Sequence, residues 1–402
     1  MTAEFDYLII GGGIAGTTAA ESIREKDQLA RIAILNAEPH PLYSKVLIPS
    51  YLKGRIDRDK LFLRKISHYN ALRIDFFPNI RVASVDAARH EITTYDKKVF
   101  SYKKLLVASG GYPLEITEVF SSTAPIDPLR MHTIEDADRI KKIIDEEPAQ
   151  GWPALGGKKV LVMGEGFIAL EFLEIFTLAG FEVHASARTN EWGAEKFGLE
   201  GSKIMEENFR KHNIIVHHTA AVSFIRNDEF YLANGDHFKC PYLAAGIGLK
   251  RDLSFLSGLA VNKGIVTDEY LRTSNPDIYA AGDIAEYYDI RNNDRRVSGN
   301  WTGAFLQGRT AAANMLGGNT IFSAVQGYNL VNMGLNISLV GDTQTEAERT
   351  VEFSRADTLV RILIKGGKII GGVLINRFGD KITLQKLIEE GKLPNDLEKI
   401  FS

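Results

Sequence analysis

Three groups of residues have types and spacings that can do chemistry. Gly11, Gly13 and Gly16 form a Gly-x-Gly-x-x-Gly run, Gly11-Gly12-Gly13-Ile14-Ala15-Gly16, directly after the apolar stretch Tyr7-Leu8-Ile9-Ile10. Glycines so spaced allow a tight turn, let backbone approach a pyrophosphate and bring the following helix close to the strand. Glu38 follows a second apolar run, Ile32-Ala33-Ile34-Leu35, where a carboxylate can accept hydrogen bonds from ribose hydroxyls. A similar loop recurs at Gly164-Glu165-Gly166-Phe167-Ile168-Ala169, with Ala169 in the third glycine's place, an allowed variant that fits a slightly wider helix–strand spacing. The third group is Ala280-Ala281-Gly282-Asp283, an acid at the end of an apolar strand. Glycine loops opening into helices offer free N–H groups and a positive dipole end to phosphates, so the chemistry implied is the holding of two dinucleotides.

The elements that must position these groups are legible around them. Tyr7–Ile10 reads as a buried parallel strand and Thr17 onward as a helix, with Ile32–Leu35 the next strand. The segment from Pro39 to Gly54 begins as a proline-rich turn and becomes a short amphipathic helix. Phe76–Asp86 and His90–Tyr95 read as strands of a small β element, and Lys104–Val107 as a buried strand running into Ala108-Ser109-Gly110-Gly111. Thr133-Ile134-Glu135-Asp136 has the form of a capping box opening a helix to about Glu146, and residues 148–153 read as a linker. Lys159–Met163, the helix after Phe167 and Phe181–Ser186 repeat the strand–loop–helix–strand unit, and Pro241–Gly248 repeats the strand-to-glycine pattern. Ala304–Leu316 has strong helix propensity and stops at Gly317-Gly318. In the tail, Leu359–Lys365 and Lys368–Ile375 flank Gly366-Gly367 as a hairpin, and Lys381–Glu390 closes the chain as a helix. The fold expected is α/β, with two Rossmann-like dinucleotide-binding domains and a small α+β C-terminal domain.

Composition narrows the function classes. The 402 residues are 45% hydrophobic and 25% charged with a net charge of −3, ordinary values for a globular chain of two to three domains. No basic cluster suits nucleic acid, and no apolar run approaches the about 20 residues needed to span a bilayer. The amino terminus shows no signal peptide, and a single cysteine, Cys240, allows no intrachain disulfide, so a cytoplasmic location is expected. The nine histidines show no metal-ligand spacing, and no metal site is expected.

With both glycine loops and Thr273-Ser274-Asn275-Pro276-Asp277-Ile278-Tyr279-Ala280-Ala281-Gly282-Asp283 in view, the sequence resembles the FAD-dependent pyridine-nucleotide oxidoreductases of the glutathione-reductase superfamily. Glu38–Lys45 together with Tyr51-Leu52-Lys53-Gly54 is similar to the NAD(P)H:rubredoxin and ferredoxin reductases and to the flavin module of nitrite reductase. The specific motifs cover residues 5 to 320. The resemblance implies that Gly11, Gly13, Ile14, Ala15 and Gly16 hold the FAD pyrophosphate and Glu38 the adenosine ribose. It implies that Lys45 contacts nearby FAD oxygens and that Val82 meets the adenine through its backbone. It places Ala108, Ser109 and Gly110 beside FAD, Gly282 and Asp283 at the ribitol and pyrophosphate, and the helix from Ala304 at the flavin's pyrimidine edge. Gly164, Gly166, Phe167 and Ile168 match the nicotinamide loop and Gly246 the turn over the nicotinamide ribose. Glu171, with Phe167, is implied in catalysis near the nicotinamide and flavin. The domains implied are 1–114 and 247–319 for FAD, 115–246 for NAD(P), and 320–402 as an interface domain for a partner or a homodimer.

The function implied is FAD-dependent transfer of electrons from NAD(P)H to a small iron protein of rubredoxin or ferredoxin type. An NAD(P)H oxidase or diaphorase, a nitrite-reductase flavin component and a non-enzymatic flavoprotein remain alternatives. Two departures from the family pattern matter. Val46 stands where disulfide-reducing and oxidase relatives carry a redox cysteine, so no thiol step is expected, and Lys250-Arg251-Asp252 replaces the usual basic-Pro-Asn. At the end of the strand closing on Ser186, Ala187 replaces the acid expected for NAD and Arg188 follows. That combination leans toward NADPH or dual use.

Overall fold

A computed structural model of the protein describes residues 3–116, 127–146, 158–220, 222–226 and 229–401; the linker read at 148–153 lies outside them. The chain forms two compact units, one of Met1–Leu47, Asp57–Tyr112 and Lys250–Ala324, the other of Ile48–Ile56, Pro113–Leu249 and Val325–Ser402.

The first unit is built on an eight-stranded sheet. Its parallel part runs Ile278–Ala280, Val99–Val107, Ala3–Ile10, Ile32–Leu35, Ile74–Phe77. Leu8, Ile9, Ile34, Leu105 and Leu106 are wholly buried, as a sheet covered on both faces requires. At about 1.5–3 kcal/mol per buried aliphatic side chain, this central layer anchors the loops at its carboxyl edge. The helix Ile14–Lys26 follows the first loop. Near its end the buried Arg24 ties down the chain, donating to the carbonyls of Leu72, Asp27, Ala30 and Arg73.

Two strand expectations are corrected here. The stretch Phe76–Asp86 is two strands, Ile74–Phe77 and Val82–Asp86, because Pro78 has no N–H to donate and Asn79 turns at φ 58°. Both belong, with Glu91–Thr94, to the main sheet rather than to a small β element. The helix expected from Ala304 begins a turn earlier, spanning Trp301–Met315, since Asn300 caps it by accepting from the Gly303 N–H at 2.6 Å.

The second unit contains a four-stranded parallel sheet in the order Ile215–His217, Glu182–Ser186, Lys159–Met163, Tyr242–Ala245. The helix Phe167–Leu178 follows its glycine loop. Thr133 and Asp136 form the capping box of the helix Ile134–Asp145, each donating a backbone N–H to the other's side chain. The tail adds a five-stranded antiparallel sheet, Gly327–Asn332, Leu335–Gly341, Lys368–Ile375, Thr358–Lys365, Arg349–Arg355. Its hairpin turns at Gly366 and Gly367, at φ 57° and 68°, the positive pair a two-residue turn demands. The helix Lys381–Glu390 lays Leu384 and Ile388 on this sheet.

No helix among the described residues is long and apolar enough to cross a membrane. None of their His, Cys, Asp and Glu side chains form a group able to hold a metal.

Candidate functional site: two glycine cradles

In the first unit, close backbone contacts gather the expected flavin residues. Gly11 turns at φ 105°, and a Cβ there would lie 2.2 Å from the Ala108 carbonyl, so the first loop rests directly on the Ala108-Ser109-Gly110 turn. A Cβ on Gly16 would meet the Gly11 carbonyl at 2.0 Å, whereas one on Gly13 would meet nothing within 4 Å. Two of the glycines are thus required by packing, and the one between them opens onto space. Ile14 and Ala15 begin the helix. A Cβ on Gly308 would lie 2.3 Å from the Ala15 carbonyl, so the helix Trp301–Met315 crosses at backbone distance and brings Ala304 and Gly282 beside Ala15.

Behind this cradle sits a set of buried polar groups. The Gly282 N–H donates to Gln307 Oε1 at 2.7 Å, while the wholly buried Gln307 Nε2 has no partner among the described residues. Burial pushes the Asp283 carboxyl up to about 6, against the pull of Arg251 and Lys45, and Arg251 Nε donates to the Asp283 carbonyl. Glu38 accepts from the Tyr43 hydroxyl at 2.6 Å and stands 3.4 Å from Lys45 Nζ. Asn36 accepts from the Gly12 N–H and donates to the carbonyls of Glu38 and His40, fixing the loop to the segment that carries the acid. Val82 opens its strand close by in the chain path, since the Asn79 N–H donates to the Glu38 carbonyl. An open glycine cradle, a buried amide without a partner among the described residues and a carboxyl that burial raises suit a pyrophosphate and a polyhydroxyl chain.

In the second unit the same packing recurs. Gly164 turns at φ 114° with its Cβ position 2.3 Å from the Gly246 carbonyl, so the two expected turns touch; Gly166 is open except toward Lys196 Nζ at 3.5 Å. Phe167 stacks on Tyr328 at 4.2 Å between centroids and lies under the Lys196 ammonium at 5.3 Å, while Ile168 is exposed. Burial pushes Lys196 down and the Tyr328 phenol up to about 12. Glu171 is buried on the helix after the loop, where Lys53 Nζ meets its Oε2 at 2.5 Å and also reaches Glu174. Burial raises the Glu171 carboxyl against the pull of Lys53, with the Glu174 charge adding to the rise. Asn332 of the tail sheet donates to the Leu170 carbonyl at 2.8 Å and to Glu174 at 3.2 Å. Arg188 points its Nη2 at Glu195, 2.9 Å away.

Sequence reasoning singled out Glu171 but missed Lys53, Glu174 and Asn332 around it, and Asn36 and Gln307 in the first unit. Glu174 was findable, because three residues on from Glu171 it shares a helix face. Lys53 stood in a quoted signature without a role. Cys240 is buried with its Sγ donating to the Tyr242 carbonyl, and burial pushes the thiol up to about 11. Val46 is half exposed at 52%.

Two parallel-sheet units, each with a glycine cradle at the carboxyl edge of its strands, define an α/β protein with two dinucleotide-binding domains. The chain belongs to the pyridine nucleotide-disulphide oxidoreductase family, whose model matches residues 5–308. Membership brings FAD and NAD(P)H as the cofactor pair. It is 26% identical over 401 residues to the 5,5'-dehydrodivanillate O-demethylase ferredoxin reductase subunit of Sphingobium sp. (strain NBRC 103272 / SYK-6), covering 96% of this chain and 94% of that one. It is 24% identical over 395 residues to the assimilatory nitrate reductase electron transfer subunit of Bacillus subtilis (strain 168), covering 95% of this chain but only 48% of that protein. In fold it matches the reductase of the covalent putidaredoxin reductase–putidaredoxin complex with a TM-score of 0.87 at 19% identity, over 100% of this chain and 96% of that one.

Proposed function

We propose that the protein carries electrons from NAD(P)H through FAD to a small iron electron-transfer protein of rubredoxin or ferredoxin type. The observation that carries the reading is the pair of cradles, each with a carboxyl that burial raises, Asp283 and Glu171, in a chain without a usable thiol. FAD, when bound, supplies the step from a two-electron donor to a one-electron acceptor. The residues around it bind and orient. In this reading Gly11, Gly13, Ile14, Ala15 and Gly16 receive the pyrophosphate, Glu38 the adenosine ribose and Asp283 the ribitol hydroxyls. Lys45 adds positive charge near the FAD oxygens, and Val82, Ala108, Ser109 and Gly110 complete the pocket walls. The N-terminus of the helix Trp301–Met315, with Ala304 in its first turn, directs its positive end to where negative charge collects on reduction. Gly164, Gly166, Ile168 and Gly246 receive the nicotinamide nucleotide, and Lys53 holds Glu171 in place beneath it. The domain limits proposed are those of the sequence, 1–114 and 247–319 for FAD, 115–246 for NAD(P) and 320–402 for contact with a partner, a second copy included.

Support for the acceptor comes from the relatives, one named a ferredoxin reductase subunit and one captured with putidaredoxin. A thiol-dependent oxidase is disfavoured by Val46 and by the buried, high-pKa Cys240. The test is a panel of acceptors offered to the FAD-loaded protein with NADH and with NADPH. Ferredoxin or rubredoxin should turn over much faster than oxygen, and oxygen as the better acceptor would defeat the proposal.

A further inference from the structure

The second glycine loop differs from the first in one respect that bears on nucleotide choice. Its middle position holds Glu165, and that side chain is only 9% exposed. The carboxylate turns toward the end of the strand Glu182–Ser186, where Oε1 accepts from the Arg188 N–H at 2.6 Å. Ala187, the position from which an acid was expected and is missing, is wholly buried between these groups and the neighbouring strand. A carboxylate therefore does stand at this strand end, delivered by the loop instead of the strand. Arg188, which the sequence offered to a 2′-phosphate, has its exposed guanidinium between two carboxylates, with Nη2 2.9 Å from Glu195 and 3.9 Å from Glu165. Lys196 also stands at the loop, its Nζ 3.5 Å from the Cβ position of Gly166 and over the Phe167 ring, within reach of the Glu165 charge.

We propose that Glu165 selects the nucleotide, its carboxylate accepting hydrogen bonds from the adenosine ribose hydroxyls of NADH and excluding the 2′-phosphate of NADPH. The inference rests on reading Gly164–Gly166 as the nicotinamide-nucleotide loop. Oε1 is held by a backbone N–H, which fixes the carboxylate, and Oε2 has the Arg188 guanidinium 3.9 Å away, beyond hydrogen-bond reach, so that it can still accept from a hydroxyl. A phosphate dianion placed there would meet a carboxylate that cannot swing away without giving up that bond, a like-charge rejection of the kind that gives discrimination. On this proposal the nucleotide preference is the opposite of the one suggested by Ala187 and Arg188.

Calorimetric binding of NAD⁺ and of NADP⁺ to the FAD-loaded protein tests this without relying on turnover. The wild-type protein should bind NAD⁺ more tightly by about ten- to a hundredfold, the range of one charge-assisted hydrogen bond. Glu165→Gln keeps an oxygen that can accept from the Arg188 N–H but loses the charge, and it should close most of that gap, chiefly by improving NADP⁺. NADP⁺ binding as tightly as NAD⁺ to the wild-type protein, or a gap unchanged in a folded Glu165→Gln protein, overturns the role of Glu165 while leaving the loop a nucleotide site. Binding of neither nucleotide to the folded, FAD-loaded wild-type protein overturns the loop reading itself.

Discussion

Asp283 illustrates how a residue proposed to bind a ligand costs stability before that ligand arrives. Its carboxyl ordinarily titrates near 3.8 and is pushed up to about 6 by burial, so the neutral form is the one the ligand-free fold prefers. A raised folded-state value means that its stabilising contribution is complete below about pH 4 and is lost as pH rises through 6. Above that, ionised Asp283 costs the FAD-free protein about 3 kcal/mol. Asp283→Asn should therefore raise the melting temperature of FAD-free protein at alkaline pH, with the gain fading toward pH 4, while weakening FAD about ten- to a hundredfold. Melting curves across pH with parallel FAD titrations check both, and a destabilised variant at alkaline pH would contradict the burial account. Cys240 makes the opposite case. With its thiol up at about 11 and its Sγ bonded to the Tyr242 carbonyl, it should resist a thiol reagent until denaturant is added. Cys240→Ser should keep full flavin reduction and acceptor turnover, losing at most about 1–2 kcal/mol of stability. Rapid labelling of the native protein, or lost turnover in a folded FAD-replete variant, would point back to thiol chemistry.

At the scale of elements, the helix Phe167–Leu178 is held by charges as well as by its apolar face. Lys53 joins Glu171 and Glu174, both buried, and the tail strand Gly327–Asn332 contributes Asn332 to the same cluster. Removing the ammonium leaves two buried carboxylates uncompensated, so Lys53→Ala should cost about 3–5 kcal/mol near neutral pH. Acid should shrink that loss as Glu171, whose carboxyl burial raises, protonates, and Glu174→Gln added to Lys53→Ala should recover part of it. Denaturation midpoints of the single and double variants measure this, and additive losses would contradict a shared cluster. The elements themselves were largely legible, because glycine spacing, apolar runs and capping residues are local signals: both loops, the Thr133 box and the Gly366-Gly367 hairpin follow from neighbours in the chain. The cluster was not legible, since Lys53 and Glu171 are 118 residues apart and nothing local pairs them. The early start of the helix at Trp301 comes from the Asn300 cap, a weaker local signal than the run of alanines that follows. The side-chain direction of Glu165 is likewise a property of the folded loop.

At the scale of the whole molecule, the chain is proposed to take electrons from a pyridine nucleotide onto FAD without a protein thiol. The tail beyond Val325, whose Tyr328 and Asn332 pack on the helix after the second loop, is also the surface proposed to meet the partner. It presents exposed Phe378 and Ile382 beside Lys381, a spot that substitution to serine at both apolar positions should test. Turnover with ferredoxin or rubredoxin should fall severalfold through a higher KM, with reduction of FAD by nucleotide unchanged, and an unaltered KM would remove this face from the acceptor contact. The most direct measurement of the central claim is anaerobic mixing of the FAD-loaded protein with NADH, and separately with NADPH, while the visible absorption of the flavin is followed. Rapid and complete bleaching by at least one nucleotide, retained in Cys240→Ser, is the result the account predicts. A fully FAD-loaded, folded protein whose absorption neither nucleotide bleaches would contradict it.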